Sequence, residues 1–325
     1  MNWPRAAGAT IVLVAVVAGV GAVLAHATVP GKNGKIVFRV ALGNPARLAI
    51  VNADGTGERR LTRTKYVNDG NPDWSPDGSK IAFERCAVKG AGGCAIFTIR
   101  PAGTGPKRLG PRGDDRARPA WAPNGNAIAY SRGWGPVQSG WIKFNELFVM
   151  NASGTGSRQL TRFNASKPFS TFVGGSSWSP DGKQLVFEAG TSPRGEPANS
   201  RALFVVNADG SDLHQLTPWS LDAGDRPDWS PDGELILFKA PAKGQHGNLY
   251  TINADGSGLK QLTRYPAPKA VFSGSFSPDG RLITFSRFAG PGIFVMRADG
   301  TGVRQITRGG WHNAPDWGPG LRSDD

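Results

Sequence analysis

The chain has 325 residues, with 38 Lys and Arg against 25 Asp and Glu, a formal charge of +13. That length suits one large all-β domain, and two cysteines are too few for a thiolate metal site. The basic residues form no single run, basic helix or aromatic stacking platform, which argues against a nucleic-acid partner.

In chain order, residues 1–27 read as a targeting segment. Arg5 is its only charge, residues 6–25 are uncharged and rich in Val and Ala, and Ala25-His26-Ala27 has the form of a cleavage site. An uncleaved membrane anchor is the alternative, since about 20 apolar residues span a bilayer. Either way the rest of the chain is expected to be exported: periplasmic, wall-associated or secreted.

After a short connector, Lys35-Ile36-Val37-Phe38 opens a repeating pattern. The phrase Asp73-Trp74-Ser75-Pro76-Asp77-Gly78 returns around Trp121, Trp178, Trp229 and Phe276, and in clipped form at Asp316-Trp317. Pro presets φ in a turn and Asp-Gly tolerates φ > 0, so each copy reads as a hairpin between two strands. The aromatic positions lie 47, 57, 51, 47 and 41 residues apart, a spacing of solenoids or propellers. A second phrase, Asn52-Ala53-Asp54-Gly55 ending in Leu61-Thr62, alternates with the first and closes at Leu109, Leu160, Leu216, Leu262 and Ile306. Two turns per unit make four antiparallel strands. The expectation is an all-β, six-bladed β-propeller over residues 31–320, with a polar tail at 321–325. Five blades cover roughly 72–110, 119–161, 176–217, 227–263 and 274–307. The remaining one takes three strands from the N-terminal end and its innermost strand from Asp316-Trp317, a 3+1 closure that leaves no open edge at the seam.

The two turn phrases share one face of the ring. The connections on the other face vary in length, and variable loops are where binding concentrates. Residues before each innermost strand are expected to ring the channel mouth: Asn68, Asp69, Asn71, Asp114, Asp115, Arg116, Arg118, Asp225, Arg226, Trp311, His312 and Asn313. Arg132, Trp134, Trp141 and Lys143 in one long loop, with Trp219 in another, add exposed aromatic and cationic residues of the kind that dominate interface energetics. The same mouth residues also fit a bland role, as salt bridges between blades and caps of strand ends. Basic residues flanking the fourth strands, Arg59, Arg158 and Arg304 among them, suit protection of an outer edge or attraction of anionic wall polymers. Cys86 and Cys94 close so short a loop that a disulfide is expected in an oxidising compartment.

Signs of catalysis are weak. No G-x-S-x-G elbow occurs, and His214, His246 and His312 fall in different blades, so no metal site and no cofactor is implied. The Asn-Ala-Asp-Gly phrases lack the ligand series of a calcium loop.

Six copies of D-W-S-P-D-G with N-A-D-G-x-G-x-x-x-L-T resemble the TolB-type propeller repeat over essentially the whole chain after the leader. The resemblance implies a periplasmic protein whose propeller binds a lipoprotein partner at its channel mouth. The N-terminal α/β domain that accompanies such propellers is expected to be missing, because the first strand follows the leader so closely. The resulting expectation is a non-catalytic, monomeric scaffold for an envelope protein or peptide, touching the membrane only through an uncleaved leader. Binding of anionic wall glycan, or a polysaccharide-acting enzyme using Asp115 or Asp225, are the alternatives.

Overall fold

A computed structural model describes residues 30–41, 45–88, 93–134, 144–163, 170–192, 200–241, 247–266, 270–288 and 292–320. The leader, Trp141 and Lys143 lie outside them, as does the side chain of Trp134.

Six four-stranded antiparallel sheets form the ring. Blade 1 joins β24 (His312–Pro319) to β1 (Asn33–Val40), β2 (Arg47–Val51) and β3 (Arg59–Arg60). Blade 2 is β4 (Val67–Trp74), β5 (Ile81–Ala87), β6 (Cys94–Ile99) and β7 (Lys107–Leu109). Blade 3 is β8 (Asp115–Trp121), β9 (Ala127–Trp134), β10 (Phe144–Asn151) and β11 (Arg158–Gln159). Blade 4 is β12 (Ser170–Trp178), β13 (Gln184–Ser192), β14 (Ser200–Asn207) and β15 (His214–Gln215). Blade 5 is β16 (Gly224–Trp229), β17 (Leu235–Pro241), β18 (Gly247–Asn253) and β19 (Lys260–Gln261). Blade 6 is β20 (Val271–Phe276), β21 (Leu282–Arg287), β22 (Gly292–Arg297) and β23 (Arg304–Gln305). The six-bladed propeller and its 3+1 closure are as the repeats predict. Among the described residues no helix is long and apolar enough to cross a membrane.

Each repeated residue has a physical task. In the first turn the Ser hydroxyl donates to the Asp two residues on and accepts the N–H that opens the next strand, as at Ser230, Asp232 and Leu235. The turn prolines face the turn glycines of the following blade: Pro123 lies 3.2 Å from where a Cβ on Gly182 would sit. In the closing Leu-Thr the Leu is buried or nearly so, and the Thr hydroxyl accepts a backbone N–H of the third strand, as from Leu203 to Thr217 at 2.9 Å. The core lies between blades, where the inner-strand aromatics Trp74, Trp178, Trp229, Phe276 and Trp317 pack with Phe83, Phe187, Phe238, Phe285 and Phe38 respectively.

The fourth-strand cations do more than guard an edge. Arg59, Arg158 and Arg304 donate to the carbonyls of Pro101, Ala208 and Ala53, each in the next blade's second turn. The rim is thus stitched from blade to blade.

Candidate functional site

Every innermost strand breaks register with its neighbour shortly before its aromatic residue. In four blades the residue three places before that aromatic is left-handed without being glycine: Asn71 (φ 44°), Arg118 (φ 53°), Arg226 (φ 62°) and Ala314 (φ 49°). All four precede a proline, in Asn71-Pro72, Arg118-Pro119, Arg226-Pro227 and Ala314-Pro315. Proline disfavours the right-handed helical region for the residue before it. A left-handed L-residue costs about 1–2 kcal/mol. Such strain persists only where its surroundings enforce it, and it gathers at binding sites.

The bulge separates two kinds of mouth residue. Residues before it turn between the blades. Asp69 is fully buried and bridges Arg85 at 2.6 Å. Arg116 is buried over the Tyr130 ring and pairs with Asp114 at 2.8 Å. His312 is buried, with Nδ1 2.7 Å from the Thr307 hydroxyl and its ring 4.9 Å from that of Phe38. These three were expected on the contact surface and are structural instead. Burial holds the His312 imidazole below its ordinary pKa, so it is neutral at pH 7.

Arg226 at the bulge and the residue just before each inner-strand aromatic line the channel. Arg226 reaches from blade 5 to the Pro72 carbonyl of blade 2, on the opposite side of the ring, at 3.1 Å. It bars the channel beneath the mouth. Around it stand Asp73, Asp228 and Asp316, each followed directly by its blade's inner-strand Trp. Each accepts a backbone N–H from the next blade: Trp121 to Asp73 at 2.6 Å, Phe276 to Asp228 at 2.7 Å, and Trp74 to Asp316 at 2.7 Å. Ser177 and Ser275 do the same for Trp229 and Trp317. Burial raises all three carboxyls, and repulsion from Asp316 adds to it at Asp73 and Asp228. Asp73 sits well above its ordinary range, and Asp228 is pushed up to about 7. Among the described residues no group of three or more His, Cys, Asp or Glu is placed to hold a metal ion. The channel Asp residues escape a reading of the sequence that treats them as flanks of a turn. The X-Pro-x-Trp tetrapeptide was the available signal for bulge and carboxylate alike.

Above the bar, Glu188 of β13 joins three blades. It is 2% exposed, accepts from Arg118 of blade 3 at 3.2 Å, lies 3.7 Å from Arg201 of its own blade, and accepts the Asp225 N–H of blade 5. Gly174 and Gly224 leave room for it: a Cβ at Gly174 would lie 1.8 Å from Oε1, and one at Gly224 2.5 Å from Oε2. Asp225 pairs with Lys239 at 3.2 Å. Asp114 also holds Arg132 at 3.1 Å; burial alone would raise its pKa, but hydrogen bonds from the two arginines bring it below the ordinary value. Asp115 is raised by burial, partly offset by the Cys94 N–H at 2.6 Å. Cys94 is bridged to Cys86, its opposite neighbour across the β5–β6 pair. Asn68 accepts the Ala46 N–H at 2.7 Å. Asn71 and Asn313 are half-buried.

The aromatics divide in the same way. Trp219, on a 3-10 turn (Trp219–Leu221), folds back onto Phe204, with ring centres 5.7 Å apart. Trp311 is 42% exposed and meets Phe288, 40% exposed, edge-on at 4.5 Å. Tyr66, 82% exposed, stands on the same face. The exposed large aliphatics, Leu213, Leu259 and Val303, all flank second turns on the opposite side.

No family model matches the chain. It is 28% identical over 216 residues to the uncharacterized peptidase YuxL of Bacillus subtilis, covering 54% of this chain and 30% of that protein. It is 34% identical over 82 residues to the Tol-Pal system protein TolB of Rhizorhabdus wittichii, 25% of this chain and 18% of that one. The chain thus spans less than a third of the length of these curated relatives. Among solved structures, TolB from Acinetobacter baumannii superposes with a TM-score of 0.68 at 19% identity, over 90% of this chain and 68% of that one. The likeness is one of fold, that of a TolB-type six-bladed propeller.

Proposed function

We propose that this protein is an exported, non-catalytic propeller scaffold that binds an envelope protein or peptide through its variable-loop face and channel mouth. In this reading residues 1–27 are the export leader, residues 31–320 the propeller, and the chain is monomeric. The observation that carries it is that, among the described residues, the exposed large aromatic side chains, Tyr66, Phe288 and Trp311, all lie on the loop face. Half-exposed aromatics beside cations are the residue types on which protein interfaces concentrate their energy. The cystine of the mouth suits an oxidising compartment. The TolB fold supports a protein partner more than a substrate. The name of the YuxL relative favours an enzyme, but the carboxylates expected to do that work are engaged: Asp115 by the Cys94 N–H and Asp225 by Lys239.

The test is crosslinking in intact cells, with photoreactive residues at positions 66 and 311 and a control at Asp209 on the turn face. One protein captured from the two mouth positions, and absent from the control, supports the scaffold. Glycan adducts, or equal capture from both faces, would sink it in favour of wall-polymer binding. Turnover of a wall polysaccharide that disappears in Asp115→Ala or Asp225→Ala would turn the reading to an enzyme.

A further inference from the structure

A crevice opens between blades 4 and 5, across the ring from Tyr66 and Trp311. Its volume is about 220 Å³, and four charged side chains line it: Arg201 of β14, Asp222 and Asp225 around the start of β16, and Lys239 of β17. Residues 193–199 and 242–246, its neighbours in sequence, lie outside the described ones.

The four charges cancel, and they alternate in sign. Lys239 Nζ lies 3.2 Å from Asp225 Oδ2, and Arg201 lies 3.7 Å from the buried Glu188, which Arg118 shares from the other side. Asp222 accepts the Arg201 backbone N–H at 2.9 Å. None of these pairs is sealed: the side chains of Arg201, Asp225 and Lys239 are 42%, 30% and 23% exposed. Each therefore keeps a polar surface for a ligand.

The surrounding backbone is shaped to hold the cations where they are. A Cβ on Gly247 would lie 2.2 Å from Lys239 Cε, and one on Gly224 would lie 2.8 Å from Arg201 Cδ. Among the described residues, the approach to the inner-strand Trp in blades 1, 2 and 3 has one left-handed non-glycine residue each, Ala314, Asn71 and Arg118. Blade 5 has three: Asp222 (φ 49°), Asp225 (φ 66°) and Arg226 (φ 62°). Asp222 closes a 3-10 turn, where that conformation is usual. Asp225 ends no such turn. Its conformation sends its N–H to Glu188 and its carboxylate to Lys239. Strain of this kind gathers at ligand sites.

We propose that this crevice binds a neutral saccharide unit through a pair of adjacent hydroxyls. A hydroxyl donates and accepts at once. Adjacent hydroxyls thus accept from Lys239 or Arg201 and donate to Asp225 or Asp222. A carboxylate or phosphate ligand would bring like charge to the two Asp residues, and a cation would do the same to Lys239 and Arg201. A free amino acid needs cations gathered at one end and carboxylates at the other, whereas here each cation stands beside a carboxylate. Pro241, also in the lining, offers an apolar surface to the C–H face of a sugar ring. The site goes beyond the scaffold reading and does not depend on it, because the exposed aromatics Tyr66 and Trp311 stand on the far side of the ring.

The experiment is saturation-transfer NMR on the full chain with glucose, galactose, mannose and N-acetylglucosamine, with galacturonate and alanine as anionic and zwitterionic probes. At least one neutral sugar should receive saturation, and a titration then gives its Kd. Asp225→Asn and Lys239→Met should each weaken that sugar about tenfold or more, since each removes a charged hydrogen-bond partner. The near-isosteric Asp225→Asn covers the case in which Lys239→Met disturbs the sheet. Monodeoxy analogues of the sugar should show two adjacent positions at which loss of the hydroxyl costs as much. Arg132→Ala, in blade 3, should leave binding within about twofold. No transfer to any neutral sugar, stronger binding of galacturonate or alanine, or an affinity indifferent to both variants would each overturn the proposal. The crosslinks at positions 66 and 311 report on the scaffold alone, so either reading can fail without the other.

Discussion

The two halves of the channel mouth share a backbone and differ in what their charges are for. In blades 2 to 4 the carboxylates are bound inward: Asp69 to Arg85, Asp114 to Arg116 and Arg132, Glu188 to Arg118 and Arg201. In blades 5, 6 and 1, past Asp225, the mouth segments hold cations and rings and no acid. One half pairs its carboxylates with its own cations, and in the other Lys239 reaches back to Asp225 while Arg264 and Arg308 stay exposed. A repeated fold thus carries two charge arrangements around a single ring, without changing the backbone plan.

The sharpest way to break that contrast is Glu188→Ala. It strands the Asp225 N–H and leaves Arg118, 29% exposed, without its carboxylate. Loss of one partner of a fully buried pair costs about 3–5 kcal/mol, and water at Arg118 brings the expected loss to about 2–3 kcal/mol. Urea unfolding should show a loss of that size. A loss below about 1 kcal/mol would mean that the paired half is no more structural than a surface salt bridge. Cys86→Ser/Cys94→Ser comes next. The bridge spans a sequence separation of 8, and removing so short a closure should lower stability by about 2–3 kcal/mol. Reduction of the unmutated protein should give the same midpoint shift.

On the axis between the halves, Asp228 gives a pH test. Its carboxyl is raised to about 7 by burial and by Asp316. The folded state therefore holds a proton that the unfolded state has released, and stability falls as pH rises from about 4 to about 7, then levels. Asp228→Asn keeps an acceptor for the Phe276 N–H and cannot ionise. Its unfolding midpoint should gain on the parent between pH 5 and 8 by about 1–2 kcal/mol. The slope should shrink without vanishing, because Asp73 and Asp316 are raised too. A parallel pH profile for parent and variant would refute the assignment. The smallest effect belongs to the acid-free half: Trp311→Ala should cost only about 0.5–1 kcal/mol by thermal unfolding while abolishing partner capture. A large stability loss there would erase the distinction between the halves.

The ring architecture was legible because its signals are local. Ser-Pro-Asp-Gly and Asn-Ala-Asp-Gly specify turns whatever surrounds them, and six copies leave little choice of fold. The site was legible only in part, because its geometry depends on the bulge. Counting back from Trp317 by strand alternation gives no hint that His312 is buried while Asp316, on the same side of the alternation, lines the channel. The same shift sends Asp69 inward and lets Arg226 cross the channel. Asp73, Asp228 and Asp316 are equally hidden, since an Asp beside a turn is ordinary and its partner is a backbone N–H about 50 residues on or at the far end of the chain. Glu188 could not be singled out either: its importance comes from Gly174 and Gly224 making space for it.

The 3+1 seam sets the order in which this molecule can become whole. Asp316 to the Trp74 N–H, the Trp317 indole to Gly34 and Asn33 to the Asp279 N–H join residues 242, 283 and 246 positions apart. Contacts across such loops carry the largest closure entropy and form late in folding. Interactions absent from the folding transition state chiefly slow unfolding. The seam therefore acts as a kinetic latch. It adds little to the speed of assembly, and it governs how long a finished propeller survives proteases before its first blade works loose.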